Sequence, residues 1–199
     1  MYASNIFNEG SGNCCAIRQG THRPPQKASR HFCSYRRDKG NHLFDQTGAF
    51  PVKSKKSNRY IMIMCEMDSN AILSEAICSR DSGELVRAHR VLLRRLKKAG
   101  LNPKKHVLDN EISNEFKEAI KDNDMDYELV PKGQHRRNIA ENAIHTWKAH
   151  AVGIFLGIDP KCPLSLWVLM LPQIDIEVNL LRQSNITPKI SAYAHLHGQ

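Results

Sequence analysis

The chain has 199 residues, of which 41% are hydrophobic, and 29 Lys or Arg stand against 20 Asp or Glu for a formal charge of +9. That length allows one domain of ordinary size with an appendage, and the apolar share argues against a chain disordered throughout. The charge favours an anionic partner such as nucleic acid and says nothing of the fold.

Residues 1–40 are basic and glycine-bearing, with adjacent Pro24 and Pro25 and almost no apolar periodicity. They read as a basic, disordered lead to a folded domain over residues 41–199. The start, MYASNIFNEGSG, lacks a basic region followed by an apolar one, so secretion is not indicated. From His42 the pattern changes. HLFDQTGAFP reads as a strand stopped by a turn at Gly48 and by Pro51. RYIMIMCEM reads as a second strand and AILSEAI as a third, joined by the turn-like DSN. SGELVRAHRVLLRRLKKAG is an amphipathic helix with Leu85, Ala88, Leu92 and Leu96 on one face and Gly100 at its end. Its remaining faces carry Arg87, Arg90, Arg94, Arg95, Lys97 and Lys98, read as solvated.

KHVLD is a short fourth strand, and a helix follows from Ser113 with Phe116, Ala119 and Ile120 on one face. YELV is a fifth strand, broken by Pro131 and Gly133. A long helix runs from Arg137 to Leu156, and a last one from Pro163 to Arg182 precedes an extended end. AVGIFLGI meets Asp159 and Pro160 at once, and no run reads as a membrane span, so no membrane partner is expected. Three strands followed by helix–strand alternation define an α/β fold, with a five-stranded mixed sheet flanked by helices on both faces.

Cys65 and Cys78 lie in apolar runs and read as reduced core thiols. Cys14, Cys15 and Cys33 with His22 and His31 lack the paired spacing of a zinc finger. The acids are more informative. Asp45 lies within the first strand and Asp109 at the tip of the fourth, where HVLDNEIS runs from apolar to acidic. A strand simply ending in a polar loop explains that octapeptide; a strand delivering a carboxylate explains it too. In a sheet where these strands are neighbours, the two carboxylates would be close. On the long helix, Ala140, Ala143, Ile144, Trp147, Ala151 and Phe155 form one stripe. Glu141 sits at its border, with Lys148 two turns above. An ion pair or a solvated face accounts for that arrangement, as does a metal site beside a polyanion. Asp68 is the rival for the first acid, whereas Asn110, Glu111, Asp122, Asp124 and Asp126 read as solvated loop or helix-end groups. His135 and His145 read as exposed or packed rather than ligating.

DQTGAFP, VLDNEIS and HRRNIAENAIHTWKAH together resemble the catalytic core of retrotransposon integrases of the copia type. These are members of the D,D,E integrase and transposase family, with a ribonuclease-H-like fold. The similarity runs from Asn41 to the C-terminus through LPQIDIEVNLLRQSNITPKISAY. The resemblance makes Asp45, Asp109 and Glu141 the three catalytic and metal-holding acids, and Lys148 the lysine that touches the DNA end. The interval from Asp109 to Glu141 is shorter than in retroviral integrases. No upstream His/Cys zinc module is recognisable in residues 1–40, and the chain stops at HLHGQ where such polyproteins continue, so a C-terminally truncated fragment is expected.

The resemblance implies metal-dependent trimming of a DNA 3′ end by water, followed by attack of the freed hydroxyl on target DNA. It implies Mg²⁺ or Mn²⁺, held by oxygen ligands. It also implies DNA ends and target DNA as partners, a homo-oligomer, and a nuclear location. PKGQHRRN brings Lys132, Arg136 and Arg137 ahead of the glutamate helix as further DNA contacts, giving affinity that falls with salt. The alternative is a catalytically inactive DNA-binding remnant of such an element. A ribonuclease H proper shares the sheet but needs an acidic constellation that HRRNIAEN does not supply.

Overall fold

The structure, a computed structural model, describes residues 40–109, 113–130 and 136–198; for Asp109, Val130 and residues 136–140 it describes the backbone alone. The elements are β1 (Asn41–Gln46), β2 (Tyr60–Glu66), β3 (Ile72–Ile77), α1 (Ser82–Lys98), β4 (Lys105–Asp109), α2 (Asn114–Lys121), β5 (Asp126–Val130), α3 (Arg136–Gly157), α4 (Leu171–Leu181) and α5 (Ala192–His197). A 3₁₀ helix, Leu164–Met170, precedes α4. The strands form one sheet in the order β3-β2-β1-β4-β5. β1, β2 and β3 are an antiparallel meander, whereas β4 pairs parallel with both β1 and β5. The sheet is therefore mixed, as its element order implies.

Strand alternation divides the core into two layers. Met62 and Met64 face one side with Leu92, Leu93 and Leu96 of α1, Phe116 and Ile120 of α2, and Leu196 of α5. Ile61, Ile63 and Cys65 face the other with Ala143, Trp147 and Ala151 of α3 and Ile174 and Val178 of α4. Being covered on both sides, β2 is apolar through YIMIMC rather than alternating. Each fully buried leucine of α1 contributes about 1.5–3 kcal/mol. Burial raises the Cys65 thiol pKa to about 11, consistent with an inert core cysteine. Cys78, expected in the core, is exposed just beyond β3.

The C-terminal region departs from the sequence reading. Instead of one helix from Pro163, a 3₁₀ segment gives way to α4 next to Pro172. Proline has no N–H to offer an α-helical ladder running through it, so the helix starts afresh there. Leu164–Leu181 as a whole is long and apolar enough to cross a membrane, where the sequence reading expects no such run. Here it buries Trp167, Ile174 and Val178 in the core, together with Asp175 and Asn179. The end expected to be extended folds into α5, whose N-cap Ser191 Oγ accepts from Ala194 N, and Gly198 closes it at φ 66°.

β3 is an edge strand, and side chains satisfy its outer backbone. Asn179 accepts from Ile72 N at 2.8 Å and donates to Ile72 O at 2.7 Å. Asp175 accepts from Ser74 N at 3.1 Å, and Arg95 donates to Ser74 O at 2.9 Å. Arg87 donates to Ala76 O at 2.7 Å, and Glu84 accepts from Cys78 N at 3.2 Å. Two of the arginines read as solvated on α1 are thus engaged, Arg87 also pairing with Glu75 and Glu84. Asp175 is the hub: it accepts from Ser74 Oγ at 2.6 Å, Trp147 Nε1 at 3.2 Å and Arg95 at 2.7 Å. Burial raises its carboxyl pKa while Arg95 and Ser74 pull it down.

Asp175→Ala strands Trp147 Nε1 and Ser74 together and is expected to cost about 2–4 kcal/mol of unfolding free energy. Arg95→Ala, whose guanidinium is partly solvent-exposed, should cost less than about 1 kcal/mol. Urea unfolding of the two variants checks that order, and equal losses would contradict it.

Candidate functional site

β1 and β4 run parallel with Asn41 opposite Lys105, His42 opposite His106 and Leu43 opposite Val107. The pairing ends there; continued by two residues, the same register would set Asp45 opposite Asp109 at the C-terminal ends of adjacent strands. Asp45 belongs to the same side of the sheet as its partner Ile63, the side covered by α3. Its carboxylate is exposed, and Oδ1 accepts from Gln46 N at 2.7 Å. Asp109 is the last residue of β4 and pairs with Val130 of β5.

The chain turns away at once after Asp45. Thr47 is buried, with its N–H donating to Ile61 O at 2.9 Å and its Oγ1 accepting from Ile61 N at 3.2 Å. Phe50 stacks on Trp167, ring centroids 4.5 Å apart. The strand expected to stop at the Gly48 turn ends at Gln46, and TGAF anchors the exit loop.

α3 packs on β1, β2 and α4 through Ala143, Ile144, Trp147 and Ala151. Glu141 is exposed near the start of that helix, and Lys148 is half-buried two turns on. Arg136 and Arg137 occupy its first turn. Lys132, Asn110, Glu111, His135, Pro131 and Gly133 lie outside the described residues, as do the residue 1–39 lead and its Cys14, Cys15, Cys33, His22 and His31. Asp68, the rival first acid, accepts from Gly40 N at 2.9 Å and so fastens the entry to β1. Gly40 itself has φ +84°, and a Cβ there would come within 3.1 Å of Lys104 N. Asp122, Asp124 and Asp126 are exposed around the end of α2 and the start of β5, and His145 is exposed on α3.

A group that the sequence reading missed lies on the opposite side of the sheet. His42 of β1, His89 of α1 and His106 of β4 are all fully buried. His89 Nε2 and His106 Nδ1 are 3.1 Å apart, and the His42 ring meets that of His106 edge-on at 4.0 Å. Phe44 and Phe116 close over them. Four ring nitrogens find no hydrogen-bond partner among the described residues: both of His42, Nδ1 of His89 and Nε2 of His106. Each such atom costs about 1–3 kcal/mol. A signal was present: HLFD and HVLD repeat the pattern His-apolar-apolar-Asp on both strands. Parallel pairing in register sets histidine beside histidine and, if continued, would set aspartate opposite aspartate.

No family model matches the chain, and no curated protein is similar to it. Solved structures are. The chain matches the structure titled simian T-cell lymphotropic virus intasome in complex with PP2A regulatory subunit B56 gamma at TM-score 0.62 and 15% identity, over 80% of this chain and 54% of that one. It matches the HTLV-2 integrase catalytic core domain, solved in complex with magnesium in a trimeric form, at TM-score 0.59 and 17% identity, over 80% and 97%. The BIV integrase catalytic core follows at 0.54 and 14%, over 78% and 91%. The chain thus spans about half of the first of these and nearly all of the two isolated cores. Its fold is the ribonuclease-H-like α/β fold of integrase catalytic cores.

Burial holds the His42 pKa down to about 3 and that of His89 to about 4, from 6.5, and that of His106 well below 6.5. The unfolded chain therefore binds more protons below pH 6.5. The stability from keeping these rings neutral is full above that pH and is lost as pH falls from 6.5 towards 4. At pH 5 the loss should be about 2 kcal/mol for each of His42 and His89. Urea unfolding with EDTA present at pH 7.5 and pH 5 measures it, and a midpoint that does not move would contradict burial of neutral rings.

Proposed function

We propose that the chain is the catalytic core of an integrase, a polynucleotidyl transferase that processes DNA 3′ ends and joins them to target DNA, of the copia retrotransposon type. The observation that supports this reading is the parallel register of β1 and β4, whose continuation beyond Leu43 and Val107 would set Asp45 opposite Asp109, together with the packing of α3, which bears Glu141, against β1 and a fold shared with integrase catalytic cores.

Asp45, Asp109 and Glu141 are the residues that would hold Mg²⁺ or Mn²⁺. The donor set fits: it offers carboxylate oxygens only, which suits hard cations. Asp45 and Glu141 are exposed, within reach of a solvated cation. When bound, such ions stabilise charge building on the attacking, leaving and non-bridging oxygens of a phosphodiester. Lys148, half-buried on α3, orients a phosphate of the DNA end. Arg136, Arg137 and Lys132 contact the backbone as α3 is entered, and the chain's excess of cations supplies affinity independent of sequence. A homo-oligomer is part of the reading, supported by the exposed apolar surface of Leu156, Leu169 and Leu181. So is action in the nucleus, where target DNA lies.

The test is Mg²⁺-dependent joining of a short duplex by the purified protein, beside Glu141→Gln and Asp109→Asn. Metal-held charge is worth several kcal/mol, so each variant should lose at least about a hundredfold in rate while still binding DNA. Full activity in Glu141→Gln would remove it from the site. Salt-dependent DNA binding with no joining by the parent protein would instead identify an inactive DNA-binding remnant. Separately, Lys148→Ala should weaken DNA binding and lower the slope of log affinity against log salt by about 0.9. An unchanged slope would mean that Lys148 touches no phosphate.

A further inference from the structure

We propose that His42, His89 and His106 form a second metal site, distinct from the carboxylates, which takes one zinc ion through one ring nitrogen of each residue and clamps α1 to the two central parallel strands. One nitrogen from each ring lies within 4.8 Å of the other two. Ligands on a tetrahedral zinc at about 2.0–2.1 Å stand roughly 3.3 Å from one another. His89 Nε2 and His106 Nδ1, 3.1 Å apart, already match that span. Only His42 has to close in, and it sits opposite His106 in the sheet.

The donor chemistry selects the ion. Imidazole nitrogens suit zinc and its borderline neighbours, whereas Mg²⁺ and Ca²⁺ demand oxygen. A metal would partner one of the two His42 nitrogens, neither of which has a hydrogen-bond partner among the described residues, in exchange for the His89–His106 contact. The three histidines bring no carboxylate with them, so water or a small anion completes the tetrahedron beside Phe44 and Phe116.

Location separates this site from the proposed active centre. His42 precedes Asp45 by three residues, about 10 Å along the strand. Strand alternation puts it on the α1 side of the sheet, whereas Asp45 is on the α3 side. The ion would hold together the strands that carry Asp45 and Asp109 without entering chemistry at them. It would bind whether or not the chain joins DNA.

The experiment uses the full chain carrying Cys14→Ser, Cys15→Ser and Cys33→Ser, so that N-terminal thiolates cannot supply the signal. After EDTA treatment and dialysis, zinc at a hundredfold excess over its Kd should raise Tm by about 5–10 °C. Cobalt(II) substituted for zinc should give the intense visible bands of a tetrahedral site with no thiolate charge-transfer band. His89→Leu removes one ligand together with its unpartnered Nδ1, and leaves His106 Nδ1 without its contact. It should lose both the shift and the spectrum. A parent with no Tm shift and only the weak spectrum of six-coordinate cobalt would overturn the proposal, as would an undiminished shift in His89→Leu. Should that variant fail to fold, the cobalt spectrum of the parent decides alone.

Discussion

The register between β1 and β4 is the constraint on which the rest of the molecule depends. Parallel strands allow side chains to be interleaved only in steps of two residues, since a slip of one turns every side chain to the other face. Here a slip would drive His42 and Phe44 out of the aromatic layer against α1 and push Leu43 out of its contact with Val107. Burial on both faces thus penalises every slip by an odd number of residues, and continuing the register adopted would set Asp45 opposite Asp109. The buried residues that precede them, His42, Leu43, His106 and Val107, supply the packing that sets that register.

The sheet reaches this arrangement by protecting its ends differently. β5 closes one edge as a short strand, with the Lys105–Glu128 ion pair between it and β4 at 2.6 Å. Short, charged edges discourage pairing with other chains. β3 closes the other with no further strand, and Asn179, Asp175, Arg95, Arg87 and Glu84 act as a ladder of side chains. These residues come from α1 and α4, so the outer edge fixes how both helix layers meet the sheet. An amide such as that of Asn179 can donate and accept in one plane, which lets it stand in for a strand residue.

Legibility in the sequence followed the range of the forces involved. Strand and helix positions were readable because apolar periodicity is local: YIMIMC and the Ala143–Trp147–Ala151 stripe each declare their own geometry. Asp45, Asp109 and Glu141 were readable as candidates because their motifs sit on such elements in order. The final helix was missed although Ser191 and Gly198 are ordinary capping residues, because six residues give too few turns for a periodic pattern. The 3₁₀ break before α4 was missed although Pro172 marks it. Asp175 and the three histidines were not legible in any single window. Asp175 looks like a polar residue on a helix, and its role depends on Ser74 and Trp147, far away in the chain. The histidines gain their meaning only once β1 lies beside β4 and α1 crosses above them.

Glu141 is held by a different logic from the two aspartates, and this links the edge of the sheet to the proposed chemistry. No strand register positions it; its place depends on how α3 sits against β1 and β2. Trp147, fully buried less than two turns along that helix, is the main anchor, and its Nε1 donates to Asp175. Asp175 is bound in turn to Ser74 on the edge strand and to Arg95 on α1. A network that caps β3 therefore also sets the rotation and depth of the helix carrying the third acid. Catalytic geometry tolerates displacement poorly, with about 1 Å enough to cost a hundredfold in rate. Damage at Asp175 should accordingly reach Glu141 through Trp147, so that one buried carboxylate couples the sheet edge to the helix on which the proposed third acid stands.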